Sequence, residues 1–382
     1  MHAAYTDDPA IEALRGFAAL FVVLIHYIHF LTPEPGLWAF ASTGVNLFFV
    51  ISGFVFAPYL AGRPLQLTAF FIRRLFRMYP LYLCALLVYV ALKPAGADAW
   101  APIPSHLFMA HTLQSVAIAS YYNAAFWSLP PELEFYLLLP LLAPLCRRLG
   151  LGVLVAGALA THLLLVALAD PAQPGVTARV IATIHVPGLL IEFLLGALAW
   201  RLAARRTSPW SRGGLLALAA LALALALLMF GLQRPGASLA TGRAALWLGG
   251  NIGLVAAAGY TLLVAALAGA PLFRAPRWQP LCLWAGRLSY GIYLFHNAAP
   301  QWLKHLLPGW SGLPALLACL ALTLLVAWLA HLLIESPARR LGRRLAARWV
   351  APPQNTTIAA HRHLPATAPH TPQAPAGPTP PH

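Results

Sequence analysis

The chain has 382 residues, 60% of them hydrophobic and only 9% charged, with a mean hydropathy of +0.71. That composition excludes an ordinary soluble domain and indicates a polytopic membrane protein. The formal charge of +15 would suggest nucleic acid in a soluble chain, but here the membrane explains it, because the arginines fall in alternate loops.

The first apolar run, 11–30, is about the length that crosses a bilayer as a helix. Its length and its acidic flank (Asp7, Asp8, Glu12) argue against a cleavable signal peptide. Arg15 and His26 stand in this run, eleven positions apart. That is about three helical turns, so both leave the same face, with a rise of roughly 16 Å between them. With Arg15 at one surface, His26 is expected near the midplane, where an ionisable group is costly and functional by default. Histidine takes and returns a proton near neutral pH. The alternative is a histidine simply hydrogen-bonded inside a helix bundle.

A second span is expected over 42–60, with Asn46 and Ser52 as its polar members and with Gly44 and Gly53 allowing close helix approach. The arginine-rich stretch 61–78 reads as a loop, and 79–92 as a third span. Arg74 and Arg77 share a face if helical, and guanidinium forks suit a phosphorylated ligand such as a nucleotide or coenzyme A. Ordinary membrane-flanking charges would look the same. Residues 93–125 are mixed and belong outside the bilayer, partly as an amphipathic helix. Apolar runs recur near 127–146, 151–169, 183–202, 213–232, 244–268, 281–300 and 313–335, giving about ten spans.

Within these runs, FWSLPPELEFY puts Glu132 and Glu134 where a helix re-enters the membrane, with Trp127 and Tyr136 as interfacial anchors. Acidic capping of the first turn is the alternative to a functional role. Glu192 lies in an apolar run and must find a partner or stay protonated. Ser289, Tyr293 and His296 fall at i, i+4 and i+7 and make a polar stripe on one helix face. Glu335 ends the last span, with Pro337 closing it. Cys84, Cys146, Cys282 and Cys319 lack metal-ligand spacing and read as small hydrophobes.

Arginine placement sets the orientation. Arg63, Arg73, Arg74 and Arg77 share one side with Arg147 and Arg148, then with Arg201, Arg205, Arg206 and Arg212, and with Arg274 and Arg277. The last span ends there too, in Arg339, Arg340, Arg343, Arg344 and Arg348. The other side holds only Lys93, Arg179, Arg234, Arg243 and Lys304. By the positive-inside rule both termini are cytoplasmic. The expected organisation is a transmembrane domain over 1–348 and a disordered, Pro-, Thr- and His-rich cytoplasmic tail over 349–382.

Several of these patterns, taken in order, resemble the membrane-bound acyltransferase 3 family. Arg15 and His26 match its R-x10-H, and Gly44 to Gly53 look like its G-V-x-x-F-F-V-x-S-G. Arg74 and Arg77 match its R-x-x-R before Pro80, and Trp127 to Tyr136 its W-S-L-x-x-E-x-x-F-Y, which selects Glu132 over Glu134. Glu192, Phe193 and Gly196 are similar to E-F-x-x-G, Ser289 to His296 to S-Y-x-x-Y-L-x-H, and Glu335 with Pro337 to E-x-P. Asn46 departs from the pattern, where Asp is expected more often.

The resemblance implies an all-α polytopic enzyme of the inner (cytoplasmic) membrane. Such an enzyme moves an acyl group, most often acetyl, from cytoplasmic acyl-CoA to a hydroxyl of an envelope glycan or other carbohydrate acceptor, lipid-linked or free. It implies His26 and Arg15 as catalytic, with His26 the general base or the carrier of an acyl-enzyme. Arg74, Arg77 and Glu335 would serve the donor. Ser52, Trp127, Glu132, Ser289, Tyr293 and His296 would line the cavity or the acceptor entry. No metal, tightly bound cofactor or nucleic acid is expected; the partners are acyl-CoA, the acceptor and membrane lipids. Some relatives carry a fused C-terminal hydrolase-like domain, and an acceptor requiring one would call for a separate periplasmic partner. The alternative from another class is a multi-pass transporter with a buried His/Glu proton relay.

Overall fold

In the computed structural model every regular element is helical among the described residues, which are 8–93, 100–169, 178–204, 211–233 and 242–349. The expected tail from 350 onward lies outside them, as do Arg205, Arg206 and Arg234. Ten helices correspond to the ten expected spans: α1 Pro9–Tyr27, α2 Gly44–Leu60, α3 Leu67–Leu92, α4 Leu129–Leu149, α5 Leu151–Ala167, α6 Val186–Ala204, α7 Arg212–Leu232, α8 Gly242–Leu267, α9 Gln279–Phe295 and α10 Gly312–Ala330. Among the described residues, eight stretches are long and apolar enough to cross a membrane, and Leu151–Ala167 is a shorter apolar helix. α9 is also short and is followed, after a break at His296 and Asn297, by the helix Ala298–Leu306. The chain is a multi-pass membrane protein. Leu87, Leu141, Leu221 and Leu333 are exposed on its helices, which costs nothing against lipid tails as apolar as leucine itself.

Two helix crossings place the site. α2 lies on α6 at Gly53 and Gly196. A Cβ at Gly53 would strike the Phe193 carbonyl oxygen, and one at Gly196 the Val50 carbonyl oxygen. The motif glycines therefore serve backbone-to-backbone approach. That approach lets Asn46 Nδ2 donate to both carboxylate oxygens of the buried Glu192, each at 2.9 Å. α1 lies along α9 in the same way, with Gly16 against Ala285 and Gly286 leaving room for Glu12. α1 itself begins at Asp8, whose Oδ1 accepts from the Ala10 amide at 3.0 Å while Oδ2 accepts from the Gly269 amide at 2.6 Å.

The structure corrects three boundaries. The loop expected over 61–78 is short, because α3 begins at Leu67 and carries Arg73, Arg74 and Arg77 in its N-terminal half. Aromatic stacking and cavity walls accommodate charges that hydropathy alone reads as a loop. The amphipathic helix expected within 93–125 is instead a series of short turns, Ile103–Leu107, His111–Leu113, Val116–Ala119 and Ala124–Ser128. Pro337 does not close the last span. A π-helical turn, His331–Glu335, follows α10 and leads directly into α11, Ser336–Ala347, where Pro337 sits in the first turn. Proline is tolerated there because the local π adjustment re-satisfies the backbone groups it frees.

Candidate active site

Two cavities share Arg15 and Arg77 as common wall. The larger spans about 1440 Å³, its opening to solvent included, and is lined by five arginines (Arg15, Arg77, Arg287, Arg339 and Arg343) together with Glu12 and His331. The other spans about 660 Å³ on the same measure and is mainly apolar. Val45, Phe48, Phe49, Ile51, Met78 and Leu129 line it, with Ser52, Ser128, Glu132, Ser289 and Tyr293 as polar members. Arg15 reaches this junction from α1, held by an ion pair to Glu12 at 2.9 Å. Arg77 reaches it from α3, within the electrostatic reach of Glu335, Glu12 and Glu132.

Arg74 goes elsewhere. Its guanidinium lies over the Phe56 ring at 5.0 Å and near Phe70 and Tyr136, each at 5.9 Å. It lines neither cavity, so the expected phosphate-binding pair is divided. Glu335 is also set back from the lining. Its carboxylate accepts from Arg339 Nη1 at 3.3 Å and meets His331 Nδ1 at 3.0 Å. It orients two residues that do line the basic cavity. Arg287 and His331 belong to no sequence pattern considered above, and Arg339 and Arg343 entered only the charge asymmetry that sets orientation.

In the narrower cavity Glu132 accepts from Ser52 Oγ at 3.2 Å and from Tyr136 Oη. Ser289 Oγ donates back to the Gly286 carbonyl at 2.8 Å. Tyr293 Oη is tied to Ser128 Oγ at 2.6 Å and donates to the Ala125 carbonyl at 3.0 Å. Trp127 lies edge-on to Phe49, one layer behind this wall. Glu134, by contrast, accepts from the Val186 amide at 2.8 Å and meets His185 Nδ1 at 3.1 Å, a structural role at the start of α6.

His26 lines neither cavity. It stands four residues before the end of the Pro9–Phe30 stretch. Its ring lies 4.8 Å from that of His296, tilted by 49°. His296 lies 6.0 Å from the Tyr293 ring, so Tyr293 and His296 stand between the cavity and His26. The buried carboxylates do not form a relay with these histidines: Glu192 is bonded to Asn46 and Glu335 to Arg339 and His331.

Fold and site define a multi-pass helical membrane protein built around a basic cavity that adjoins a narrower apolar one. The family model described as an acyltransferase domain matches residues 8–332, and the chain belongs to that family, the acyltransferase 3 family. It is similar to acyltransferase MdmB of Streptomyces mycarofaciens, with 29% identity over 383 residues, covering 88% of this chain and 93% of that one. It is also similar to nodulation protein 10 of Rhizobium leguminosarum bv. viciae, with 29% identity over 372 residues, covering 88% of this chain and 95% of that one. No solved structure matches the chain. The chain is an enzyme that transfers acyl groups.

Proposed function

We propose that the enzyme transfers an acyl group, acetyl in the simplest case, from acyl-CoA to a hydroxyl of a carbohydrate acceptor. The observation that carries this reading is the wall common to both cavities, Arg15 and Arg77. Coenzyme A joins a phosphate-rich head to a long, uncharged pantetheine arm. Five guanidinium groups suit the phosphates, which arginine binds bidentately. The apolar cavity beyond the shared wall suits the arm. The charge asymmetry of the loops supports a cytoplasmic basic cavity in an inner-membrane protein with both termini in the cytoplasm.

The acceptor hydroxyl attacks the thioester carbonyl while His26 takes its proton. The oxygen–acyl bond forms, the acyl–sulfur bond breaks, and His26 returns the proton to the departing thiolate. The path to His26 runs past Tyr293 and His296, and Glu132 with Ser52 supplies polar contacts for the acceptor.

The test uses the purified protein in detergent with acetyl-CoA and an oligosaccharide. Thiol release matched by a mass gain of one acetyl group on the sugar is the expected result. Neither thiol release nor a mass gain, from protein that still binds coenzyme A, would overturn the reading.

A further inference from the structure

His296 has one ring nitrogen committed and one without a partner. Nδ1 lies 2.8 Å from the Tyr293 carbonyl and 3.3 Å from that of Ile292. Carbonyls only accept, so Nδ1 carries the hydrogen and Nε2 the lone pair. His296 is 0% exposed, and its Nε2 meets no hydrogen-bond partner. A buried acceptor left unsatisfied is costly, and each such atom in a native fold calls for an explanation.

The surroundings hold this residue firmly. α9 stops at Phe295 and the chain restarts as a helix at Ala298. A break inside an apolar bundle frees carbonyls that must be satisfied internally. Tyr27 Oη donates to the His296 carbonyl at 2.7 Å. Tyr89 Oη and Asn123 Nδ2 both donate to the Leu294 carbonyl, at 2.9 and 3.1 Å. Three elements therefore fix the backbone of His296, and the Tyr293 carbonyl fixes its tautomer. The nearby hydroxyls do not compete for Nε2: Tyr27 Oη is shared between the His296 carbonyl and Thr323, and Tyr293 Oη between Ser128 and Ala125. The half-buried ring of His26 lies 4.8 Å from that of His296.

We infer that His296 is a positioning residue for His26, its Nε2 accepting an N–H of the His26 imidazole once that side chain rotates to meet it. This rests on His26 being the base. The hydrogen bond fixes the tautomer of His26 and leaves its other nitrogen free to take the acceptor proton. The resulting imidazolium donates to Nε2, and the proton then leaves on the sulfur of coenzyme A. His296 keeps its Nδ1 hydrogen throughout and is unchanged at the end of the cycle.

The experiment compares His296→Leu and His296→Gln for kcat, KM for acyl-CoA, and thermal unfolding in detergent. Leucine removes the unpartnered nitrogen but also the Nδ1 donor to the Tyr293 carbonyl, so that variant unfolds somewhat earlier than the parent. Its kcat falls by about 10²-fold, the scale of a misplacement of about 1 Å, with KM for acyl-CoA unchanged. Glutamine keeps an acceptor oxygen and recovers most of the rate. A Leu variant at the parent's kcat overturns the inference. So does an equal loss in both variants accompanied by earlier unfolding, which marks a purely structural residue. If the Leu variant does not insert, His296→Met is measured in its place with the same two readings. His26→Gln, run in parallel, separates the two layers: a parent rate in that variant removes His26 as base and the positioning role with it. A His26→Gln loss beside an unaffected His296→Leu removes the positioning role alone.

Discussion

Arg74 and Arg77 leave α3 one turn apart and enter different surroundings: Arg74 is stacked among Phe56, Phe70 and Tyr136, while Arg77 forms part of both cavity walls. Arg77→Ala is expected to weaken coenzyme A binding by about 10- to 100-fold, from the ~1.5–3 kcal/mol of a charge-assisted hydrogen bond. Arg74→Ala is expected to leave affinity near the parent's and to lower the melting temperature, because a desolvated cation–π contact is worth about 2 kcal/mol. Calorimetric titration and thermal melts of both variants check this. A binding defect in Arg74→Ala at an unchanged melting temperature would return Arg74 to the phosphates.

α11 carries two rows of arginine. Arg339 and Arg343 line the basic cavity, whereas Arg340 and Arg344 do not. The paired change Arg339→Ala with Arg343→Ala is expected to raise KM for acyl-CoA at least tenfold, on the same scale per contact. The pair Arg340→Ala with Arg344→Ala removes the same charge and is expected to leave KM within about twofold, since exposed charges are screened by salt. Equal effects from the two pairs would mean that only net charge matters.

At the α2–α6 crossing, Gly53→Ala and Gly196→Ala each force a Cβ onto a carbonyl oxygen of the opposite helix. Overpacking of this kind costs about 1–3 kcal/mol. The expected outcome is a lower melting temperature and reduced yield of monodisperse protein in size-exclusion chromatography. An unchanged melt would show that the helices separate at little cost.

Between α3 and α4, His106 and His111 stack with centroids 4.3 Å apart and planes 6° apart, both fully buried. Burial, with His106 adjacent, pushes His111 down to about 4 from an ordinary 6.5, and burial lowers His106 as well. The unfolded segment therefore binds more protons than the folded one between these values, so stability there rises with pH. The contribution of the pair is fully present above about pH 6.5 and is lost as pH falls toward about 4. The hydrogen-exchange protection of residues 100–128, taken relative to the intrinsic rate at each pH, is expected to fall as pH drops across that window in the parent and much less in His111→Phe. A flat profile in the parent would remove the pair as the cause.

Much of this architecture is written in the chain's hydropathy, because a bilayer demands long apolar helices whatever the site does. The spacing of Arg15 and His26 put both on one face of the first helix; that one lines the cavities and the other lies beside His296 depends on tertiary packing. Other features depend on tertiary partners that no local pattern encodes. Arg74 and Arg77 look equivalent until Phe56 and Tyr136 are brought beside one of them. Glu132 and Glu134 are two residues apart; the motif favours Glu132, and the position of His185 and the Val186 amide shows what Glu134 holds instead. Asn46, an unexpected residue for its motif, is explained by Glu192: its amide gives both carboxylate oxygens a permanent donor. The continuation of the last span through Pro337 depends on a π turn, which propensity does not predict.

The wall formed by Arg15 and Arg77 also bears on how the enzyme would be slowed. Spent coenzyme A retains every phosphate of the acylated donor, so on the proposed site these arginines hold product as firmly as substrate. Each cycle would then wait on the departure of the thiol, a step that paces many enzymes whose chemistry is fast. Progress curves would bend early as thiol accumulates, and adding a thiol scavenger would straighten them without any change in the protein.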